Sequence, residues 1–315
     1  MGGSAAATDL STMLSNVLDD AEITDLHRLS GGASRETWRF DADGRPLILQ
    51  RQRAGDDRDM LIEAGVVRAA GAAGAPVPQL LDARRRDDGM AFMVLDAIDG
   101  ETIARKILRD DRFAEARSVL VDQVGAALAT IHAIDTSTVH GLLETDQVAY
   151  YTDVLDQLGQ PHPVLELVRC WLLDHRPTTE RTCVVHGDFR LGNLIVGDEG
   201  LRAVIDWELA HLGDPMEDLG WLCVKAWRFG ATPPVAGLGD RETLFAAYER
   251  SGGPPVDPAV VHWWEVLGTW KWAVMCVLQA SVHLGGAARS HELAAIGRRV
   301  CENEYDLLTL LEGHW

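Results

Sequence analysis

The first 97 residues alternate short apolar runs with polar turn signals, a pattern typical of β-strands. A short amphipathic helix is predicted before them, at residues 8–20. Strand-like runs lie at 22–30, 34–40, 45–52, 79–86 and 90–98, and a helical stretch occupies 58–73. Asp43 and Gly44 separate the second and third runs, which predicts a hairpin turn. We therefore expect a small antiparallel sheet with one intervening helix.

From residue 100 onward the apolar residues recur with the period of a helix. Helices are predicted at 112–134, 146–158, 163–175, 216–228, 240–250, 258–285 and 290–312. The exception is the block 184–206, where a polar loop lies between short strand-like runs. The chain is thus predicted to be α+β and bilobal, with an N-terminal lobe at 1–97 and a mostly helical C-terminal lobe at 98–315.

Charge and composition narrow the class of protein. The 315 residues carry a formal net charge of -19, which disfavours nucleic acid and anionic membrane surfaces as partners. The longest apolar segment, 260–284, contains His262, Glu265 and Lys271, which predicts a buried helix and not a membrane span. The N-terminus shows no secretory signal, and the five cysteines form no Cys-x-x-Cys pair. We expect a cytoplasmic protein with buried free thiols, and the sequence does not define its oligomeric state.

The loop "VVHGDFRLGNLIV", at 184–196, carries the chemistry. Asp188 and Asn193 lie in its polar centre, and the hairpin that follows returns at Asp206, beside Asn193. One carboxylate and one amide oxygen at a hairpin mouth suit Mg²⁺, which prefers hard oxygen ligands. Asp188 is left free to orient a hydroxyl and to accept its proton, which is the division of roles that phosphoryl transfer needs.

The segments "HGDFRLGN", "VIDWE" and "GDPMEDLGWL" resemble the aminoglycoside phosphotransferase-like kinases of the protein-kinase-like superfamily. The resemblance implies a bilobal kinase fold, ATP and Mg²⁺ as cofactors, and a small-molecule hydroxyl as acceptor. It implies Asp188 as catalytic base, Asn193 and Asp206 as magnesium ligands, and Asp218 as an anchor that braces the catalytic loop. Arg190 is expected to stabilise charge on the transferred phosphate.

In the N-terminal lobe, the turn "LSGGASRETWRF" lies where kinases have a glycine-rich flap over the phosphates. Gly31 and Gly32 permit close backbone approach, and their N–H groups, with the Ser34 hydroxyl, are candidate phosphate contacts. The segment lacks the full G-x-G-x-x-G pattern, so an ordinary glycine turn is the alternative.

The third strand departs from the family pattern. The resemblance implies a cation there that binds ATP, but the register we favour puts Gln50 at that position. Arg51 or Arg53 could supply the charge after a shift of register. Glu63, on the following helix, is expected to be the acidic partner of the cation. The missing lysine also leaves room for an inactive relative.

The resemblance also implies a hinge at Met93–Ala97, where Val94 and Asp96 would present backbone groups to the nucleotide base. The style of the motifs is closest to the group that includes kinase domains fused to acyl-CoA dehydrogenases, which implies hydroxyacyl-CoA acceptors. A polycationic aminoglycoside would be attracted by the net negative charge. CoA is polyanionic and would bind only if arginines concentrate locally. The acceptor therefore stays open between these two and other metabolite alcohols.

Two rivals come from other classes of protein. A nucleotide-binding pseudokinase or regulatory scaffold is favoured only by Gln50 and disfavoured by the intact set of Asp188, Asn193 and Asp206. A metal-dependent hydrolase built on the same oxygen ligands would cleave phosphate esters without ATP. Measurement of phosphate transfer from ATP separates both from a kinase.

Overall fold

The computed structural model describes residues 2–29, 35–53, 58–86, 88–178 and 181–313, with side chains from residue 10 onward. The N-terminal part contains two helices and five strands. These are α1 (Gly2–Val17), β1 (Ile23–Arg28), β2 (Arg35–Ala42), β3 (Arg45–Gln52), α2 (Met60–Ala72), β4 (Leu80–Arg85) and β5 (Ala91–Asp96). The strands form one antiparallel sheet, as predicted, and their order in the sheet is β1-β2-β3-β5-β4.

The hairpin between β2 and β3 closes at the predicted Asp-Gly pair. Asp43 and Gly44 have φ values of 50° and 78°, and the flanking Ala42 and Arg45 face each other in the register. Positive φ at both central residues is the type I′ geometry, whose twist matches that of the paired strands. This turn fixes the register of β3, which lies at the centre of the sheet and directs its side chains alternately to the two faces.

The two faces of the sheet pack against different helices. On one face, Leu10 and Leu14 of α1 join a core cluster with Leu49 and Val94. The other face carries Met93, which shares a core cluster with the buried side of α2. Because α2 is anchored in this way, its acidic residue Glu63 is held in a buried position at the inner face of the sheet.

The remainder of the chain is mostly helical. Its elements are α3 (Ala104–Arg109), α4 (Ala114–His132), α5 (Gln147–Leu158), α6 (Pro163–Asp174), β6 (Cys183–Val185), β7 (Leu194–Gly197), β8 (Gly200–Val204), β9 (His211–Gly213), α7 (Met216–Cys223), α8 (Arg241–Arg250), α9 (Pro258–Leu284), α10 (His291–Gly297) and α11 (Val300–Leu311). The strands form two small pairs, β6 with β9 and β7 with β8. The predicted boundary at 97/98 falls between β5 and α3.

The long helix α9 is the centre of the helical part, as the apolar segment 260–284 predicts. Asp257 caps it by accepting the N–H of Ala259. The indole N–H groups of Trp263 and Trp270 donate to the carbonyls of Leu172 (3.1 Å) and Leu165 (2.9 Å) on α6. These tryptophans are therefore core residues that fasten two helices together.

Three helix predictions are wrong in their bounds. The helix expected at 8–20 begins at Gly2 and ends at Val17. The helix expected at 290–312 is two helices, and Gly297 ends the first where a Cβ would lie 2.5 Å from the Cβ of Ala280. The helix expected at 216–228 ends at Cys223, because Val224 is extended (φ −53°, ψ 129°). A separate 3₁₀ helix follows at Lys225–Arg228.

Within the described residues, no helix has both the length and the apolar character needed to cross a bilayer. All five cysteines are free, as expected, but the expectation that they are buried is wrong for two of them. Cys183, Cys223 and Cys276 are buried, whereas Cys170 and Cys301 are exposed.

Candidate active site

The loop between β6 and β7 follows a buried apolar strand that fixes its start. Val184 and Val185 of β6 are fully buried, and β6 pairs with β9. Gly187 then turns the chain with a φ of 76°, and a Cβ at this position would lie 2.4 Å from the carbonyl oxygen of Leu209. Only glycine fits such a close backbone approach in a left-handed conformation, so this turn aims Asp188 out of the sheet.

Asp218, at the start of α7, braces the loop. Its two carboxylate oxygens accept the backbone N–H groups of His186 (2.8 Å) and Gly187 (3.0 Å). The ring of His132 lies 3.1 Å from the same carboxylate, and its other nitrogen lies 2.8 Å from the Tyr248 hydroxyl. Burial alone would raise the pKa of Asp218, but the hydrogen bonds and His132 hold the pKa below its usual value. The anchor is therefore ionised and fully paired.

His186 supports the loop from within. Its Nε2 lies 3.1 Å from the carbonyl of Ile205, and its Nδ1 accepts the N–H of Asp188 at 3.2 Å. This pair of contacts fits a neutral ring that donates from Nε2. Complete burial lowers the pKa of His186, which agrees with the neutral form. The ring ties the catalytic loop to the end of β8.

The Asp188 carboxylate is fixed by three N–H donors. Oδ1 accepts the indole N–H of Trp221 at 2.9 Å, and Oδ2 accepts the side-chain amide of Asn193 at 2.7 Å. The Nε–H of Arg190 lies between the two oxygens, at 3.0 and 3.1 Å. A carboxylate offers about four acceptor positions, so Asp188 has room for one more donor, such as an acceptor hydroxyl.

Two residues of this arrangement are absent from the sequence-based prediction. Trp221, on α7, donates to Asp188, and its ring centroid lies 4.8 Å from the ammonium of Lys271 on α9. Lys271 also lies 3.5 Å from the carbonyl of Gly187. Both contacts join segments far apart in sequence, and both residues lie in apolar runs that read as core. Trp221 and Lys271 therefore support the loop at Asp188 and Gly187.

Asn193 and Asp206 lie at the two sides of the open end of the β7–β8 hairpin. Leu194 pairs with Val204, and the N–H of Ile205 donates to the carbonyl of Asn193 at 2.9 Å. Because the amide N–H₂ of Asn193 is directed at Asp188, its amide oxygen is the atom left to bind a cation. Asp206 follows in a left-handed conformation, with a φ of 67°.

Negative charge accumulates around Asp206. Burial and the charges of Glu208, Asp188 and Glu63 raise the pKa of Asp206 to about 7. Such crowding of carboxylates is relieved by a bound cation. Among the described residues, no three His, Cys, Asp or Glu side chains form a metal site by themselves. The donor set therefore fits Mg²⁺, which binds through one or two protein ligands and completes its shell with water and phosphate.

The cation beside Glu63 is Arg35, which the sequence-based prediction did not consider. Arg35, at the start of β2, forms a buried ion pair with Glu63, and its Nη1 lies 3.5 Å from Oε1 of Gln50. The proposal that Arg51 supplies the charge is wrong, because its guanidinium faces Glu36 of β2, at 3.8 Å. The register of the hairpin could have revealed Arg35. It pairs Thr37 with Gln50, so Arg35, two residues before Thr37, lies on the same face of the sheet as Gln50.

Two further sets of nucleotide contacts were expected in the N-terminal part, at the glycine turn and at the hinge. Gly31, Gly32 and Ser34 lie outside the described residues. The Val94 side chain is buried in the core beside α1. The N–H of Asp96 donates to the carbonyl of Gln79 at 3.0 Å, and its carboxylate accepts from Arg45 at 2.6 Å. A base contact at this hinge stays a prediction, and the Asp96 amide is already engaged.

An aromatic ladder leads away from Arg190. The Arg190 guanidinium lies 5.1 Å from the ring centroid of Trp227, which lies 5.1 Å from that of Trp221 and 4.9 Å from that of Trp272. Trp227 belongs to the 3₁₀ helix Lys225–Arg228, whose two ends line a groove of about 940 Å³. The 3₁₀ helix therefore contacts Arg190 through Trp227 and lines the groove with Lys225 and Arg228.

The groove is basic, in contrast to the net charge of the chain. Five cations and two carboxylates line it: Arg105, Arg109, Lys225, Arg228, Arg299, Glu302 and Asp306. Lys225 and Arg299 pair with the two carboxylates. Arg228 pairs with the buried Glu265. Within the described part of the chain, no carboxylate lies within ion-pair distance of Arg105 or Arg109 on α3.

Comparison with known proteins identifies the family of the chain. The model of the phosphotransferase enzyme family (APH) matches residues 25–259, from β1 to the start of α9. The chain belongs to this family. It is 27% identical to mouse acyl-CoA dehydrogenase family member 10 over 260 residues, which is 74% of this chain but 24% of that protein. It is 25% identical to Escherichia coli hygromycin-B 4-O-kinase over 214 residues, which is 61% of this chain and 60% of the kinase.

Solved structures share the whole fold. A Ralstonia eutropha protein provisionally classed as an aminoglycoside phosphotransferase superposes with a TM-score of 0.76 at 19% identity, over 94% of this chain and 95% of its own. The ternary complex of aminoglycoside phosphotransferase APH(4)-Ia with AMP-PNP and hygromycin B gives a TM-score of 0.65 at 18% identity, over 95% and 98% of the two chains. The predicted bilobal, kinase-like fold is thus confirmed. The chain spans 24% to 34% of the acyl-CoA dehydrogenase relatives that it matches.

Proposed function

We propose that this phosphotransferase family member is an ATP- and Mg²⁺-dependent O-phosphotransferase that acts on the hydroxyl of a small molecule. The observation that carries the proposal is the Asp188 carboxylate, held by three N–H donors beside the β7–β8 hairpin, whose open end is flanked by Asn193 and Asp206. Phosphoryl transfer needs a positioned base, a cation on the phosphates and little covalent chemistry from the protein.

In the proposed reaction, Asp188 accepts the hydrogen bond of the acceptor hydroxyl and then its proton. The hydroxyl oxygen forms a bond to the γ-phosphorus as the bond from that phosphorus to the β–γ bridging oxygen breaks. The bridging oxygen leaves with the electron pair, as part of ADP. Arg190, which contacts the base through Nε, has its remaining N–H groups to direct at the transferred phosphate oxygens.

The amide oxygen of Asn193 and the carboxylate of Asp206 would hold Mg²⁺. When bound, the ion would neutralise phosphate charge and orient the β- and γ-phosphates. A division into an N-terminal nucleotide lobe (1–97) and a C-terminal catalytic lobe (98–315) follows from this assignment. It is supported by the AMP-PNP complex of APH(4)-Ia, whose fold the chain shares.

For the acceptor, we propose a polyanionic metabolite such as a hydroxyacyl-CoA. The groove beside α3 collects five cations in a chain whose net charge is -19, and no carboxylate of the described residues lies within ion-pair distance of Arg105 or Arg109. A local basic surface attracts phosphates even on an acidic protein, because screening restricts the field to about 10 Å. The names of the acyl-CoA dehydrogenase relatives point to the same class of acceptor.

An acidic pocket is the feature that favours an aminoglycoside instead. It has a volume of about 460 Å³ and four carboxylates: Glu144, Asp146, Asp214 and Glu217. Asp146 already pairs with Arg176, and Glu217 bonds Gln147 and His211. Because two of the four carboxylates are already engaged in this way, we rank the aminoglycoside second.

A panel of acceptors tests the proposed function. ADP release from MgATP would be measured with hydroxyacyl-CoAs, aminoglycosides, macrolides and sugars, together with ATP-free controls on phosphate esters. We expect turnover that requires ATP and a hydroxyacyl-CoA. Turnover with aminoglycosides alone would overturn the acceptor class. Ester cleavage without ATP would identify a hydrolase, and nucleotide binding without any turnover would identify a pseudokinase.

Charge reversal in the groove tests the acceptor class further. The double variant Arg105→Glu, Arg109→Glu is expected to raise KM for the CoA acceptor roughly 10-fold or more at low salt, with kcat and KM for ATP nearly unchanged, because the lost attraction acts on acceptor binding. The matched control is Arg250→Glu, an exposed arginine that pairs with Asp122 on the surface. An equal change of KM in both variants would contradict the assignment of the groove.

A further inference from the structure

The ATP-binding cation of the kinase fold is absent from its usual strand. In protein kinases a lysine on the third strand contacts the phosphates and pairs with a glutamate on the next helix. Here β3 carries Gln50 at the position that faces α2, and Arg51 turns to Glu36. Glu63 is nevertheless present on α2 and buried. The acidic half of the kinase pair has therefore been kept without its lysine.

Arg35 lies where that lysine would end. Its guanidinium pairs with Glu63, and only 7% and 6% of the two side chains are exposed. It reaches this place from β2, the strand next to β3, and passes beside the Gln50 amide. Nη2 of Arg35 lies 3.6 Å from Glu208, two residues beyond the proposed magnesium ligand Asp206. The charge thus sits between the helix glutamate and the metal-binding segment.

The guanidinium has donor capacity to spare. Among the described residues, Nε of Arg35 has no hydrogen-bond partner, although the atom is buried. Buried polar groups in folded proteins are nearly always paired, so a buried donor without a protein partner indicates a missing one. Arg35 also lines a cavity of about 220 Å³ with Glu208 and Trp207. A phosphate oxygen is the acceptor that an arginine binds best at such a position.

We propose that Arg35 is the cation that binds the α- and β-phosphates of the nucleotide, in place of the lysine that kinases carry on the third strand. This inference rests on the proposed function. Glu63 positions the guanidinium, and the neutral Gln50 leaves room for it, because a second cation at position 50 would compete for the same carboxylate. The cation that pairs with Glu63 thus comes from β2 in this chain, whereas in protein kinases it comes from β3.

The test is the affinity for MgADP, measured by calorimetry without acceptor. Arg35→Met is expected to weaken binding by about 10- to 100-fold, since it removes hydrogen bonds from a charged donor. Gln50→Lys in the Arg35→Met background is expected to recover much of the affinity. Arg51→Met, on the other face of β3, is the matched control and is expected to bind as the wild type does.

A purely structural role is separated by the double variant Arg35→Met, Glu63→Met, which removes both buried charges and is expected to fold stably. We expect MgADP binding to stay weak in this variant although its Tm recovers. Binding within about threefold of the wild type would overturn the proposal, as would a failure of Gln50→Lys to restore any affinity. If the wild type itself did not bind MgADP, the proposed phosphotransferase function would fail instead.

Discussion

Replacing Asp188 by asparagine is expected to lower kcat by about 10²- to 10⁴-fold, the usual contribution of a general base. The amide has nearly the same shape but cannot take the proton of the acceptor hydroxyl. KM for ATP should change little, because the substitution leaves the proposed nucleotide contacts at Asp206 and Arg35 in place. Steady-state kinetics with saturating acceptor give both constants.

The control for this variant is the stabilisation of the protein by MgADP. We expect the rise in Tm on addition of MgADP to be the same for wild type and Asp188→Asn, which separates lost chemistry from lost binding. Retention of kcat within about threefold would contradict the role of Asp188 as base, since a base contributes at least about 10²-fold.

The second large effect is expected at Asp218. Asp218→Ala leaves the buried N–H groups of His186 and Gly187 and the ring of His132 without their acceptor. Loss of one partner of a buried, hydrogen-bonded charge costs about 3–5 kcal/mol of unfolding free energy. Chemical denaturation should show this loss, and kcat should fall with it because the loop that holds Asp188 is no longer braced.

Asp122→Ala is the matched control, because it removes an aspartate that pairs with Arg250 at the exposed surface. It should change neither stability nor kcat appreciably, as exposed ion pairs contribute little. An Asp218→Ala protein as stable as the control would show that the buried carboxylate is not the anchor that the geometry indicates.

Local sequence features were enough to predict much of the fold and the catalytic loop. The Asp43-Gly44 turn, the helix α9 and the hairpin from Asn193 to Asp206 each depend on neighbours within one or two elements. Turn-forming residues and apolar periodicity predict such short-range structure directly. The family match and the shared fold of APH(4)-Ia confirm the kinase-like architecture that these segments indicated.

Contacts between distant segments could not be predicted in the same way. Trp221 reaches Asp188 across 33 residues, and Lys271 reaches Gly187 across 84. The sequence of β3 alone does not reveal Arg35, because this residue lies on the neighbouring strand β2. Its side chain lies on the same face of the sheet as Gln50. The register of β2 against β3 is the information that identifies Arg35.

Net charge does not describe the local charge of the surface. The value of -19 averages over the whole surface, whereas Arg105, Arg109, Lys225 and Arg299 collect on one groove from α3, the 3₁₀ helix after α7 and the region of α11. Charge of one sign on most of the surface does not prevent a local region of opposite sign, because screening limits each field to its neighbourhood. Only the folded arrangement brings these cations together.

Transfer of the γ-phosphate is the central claim, and isotope labelling measures it directly. The enzyme would be incubated with MgATP labelled with ¹⁸O on the γ-phosphate and a hydroxyacyl-CoA, and the products would be analysed by mass spectrometry. We predict that the label appears in a phosphate ester of the acceptor, and that Asp188→Asn nearly abolishes its formation. Label found only in inorganic phosphate, or retained in ATP for every acceptor tried, would contradict the account.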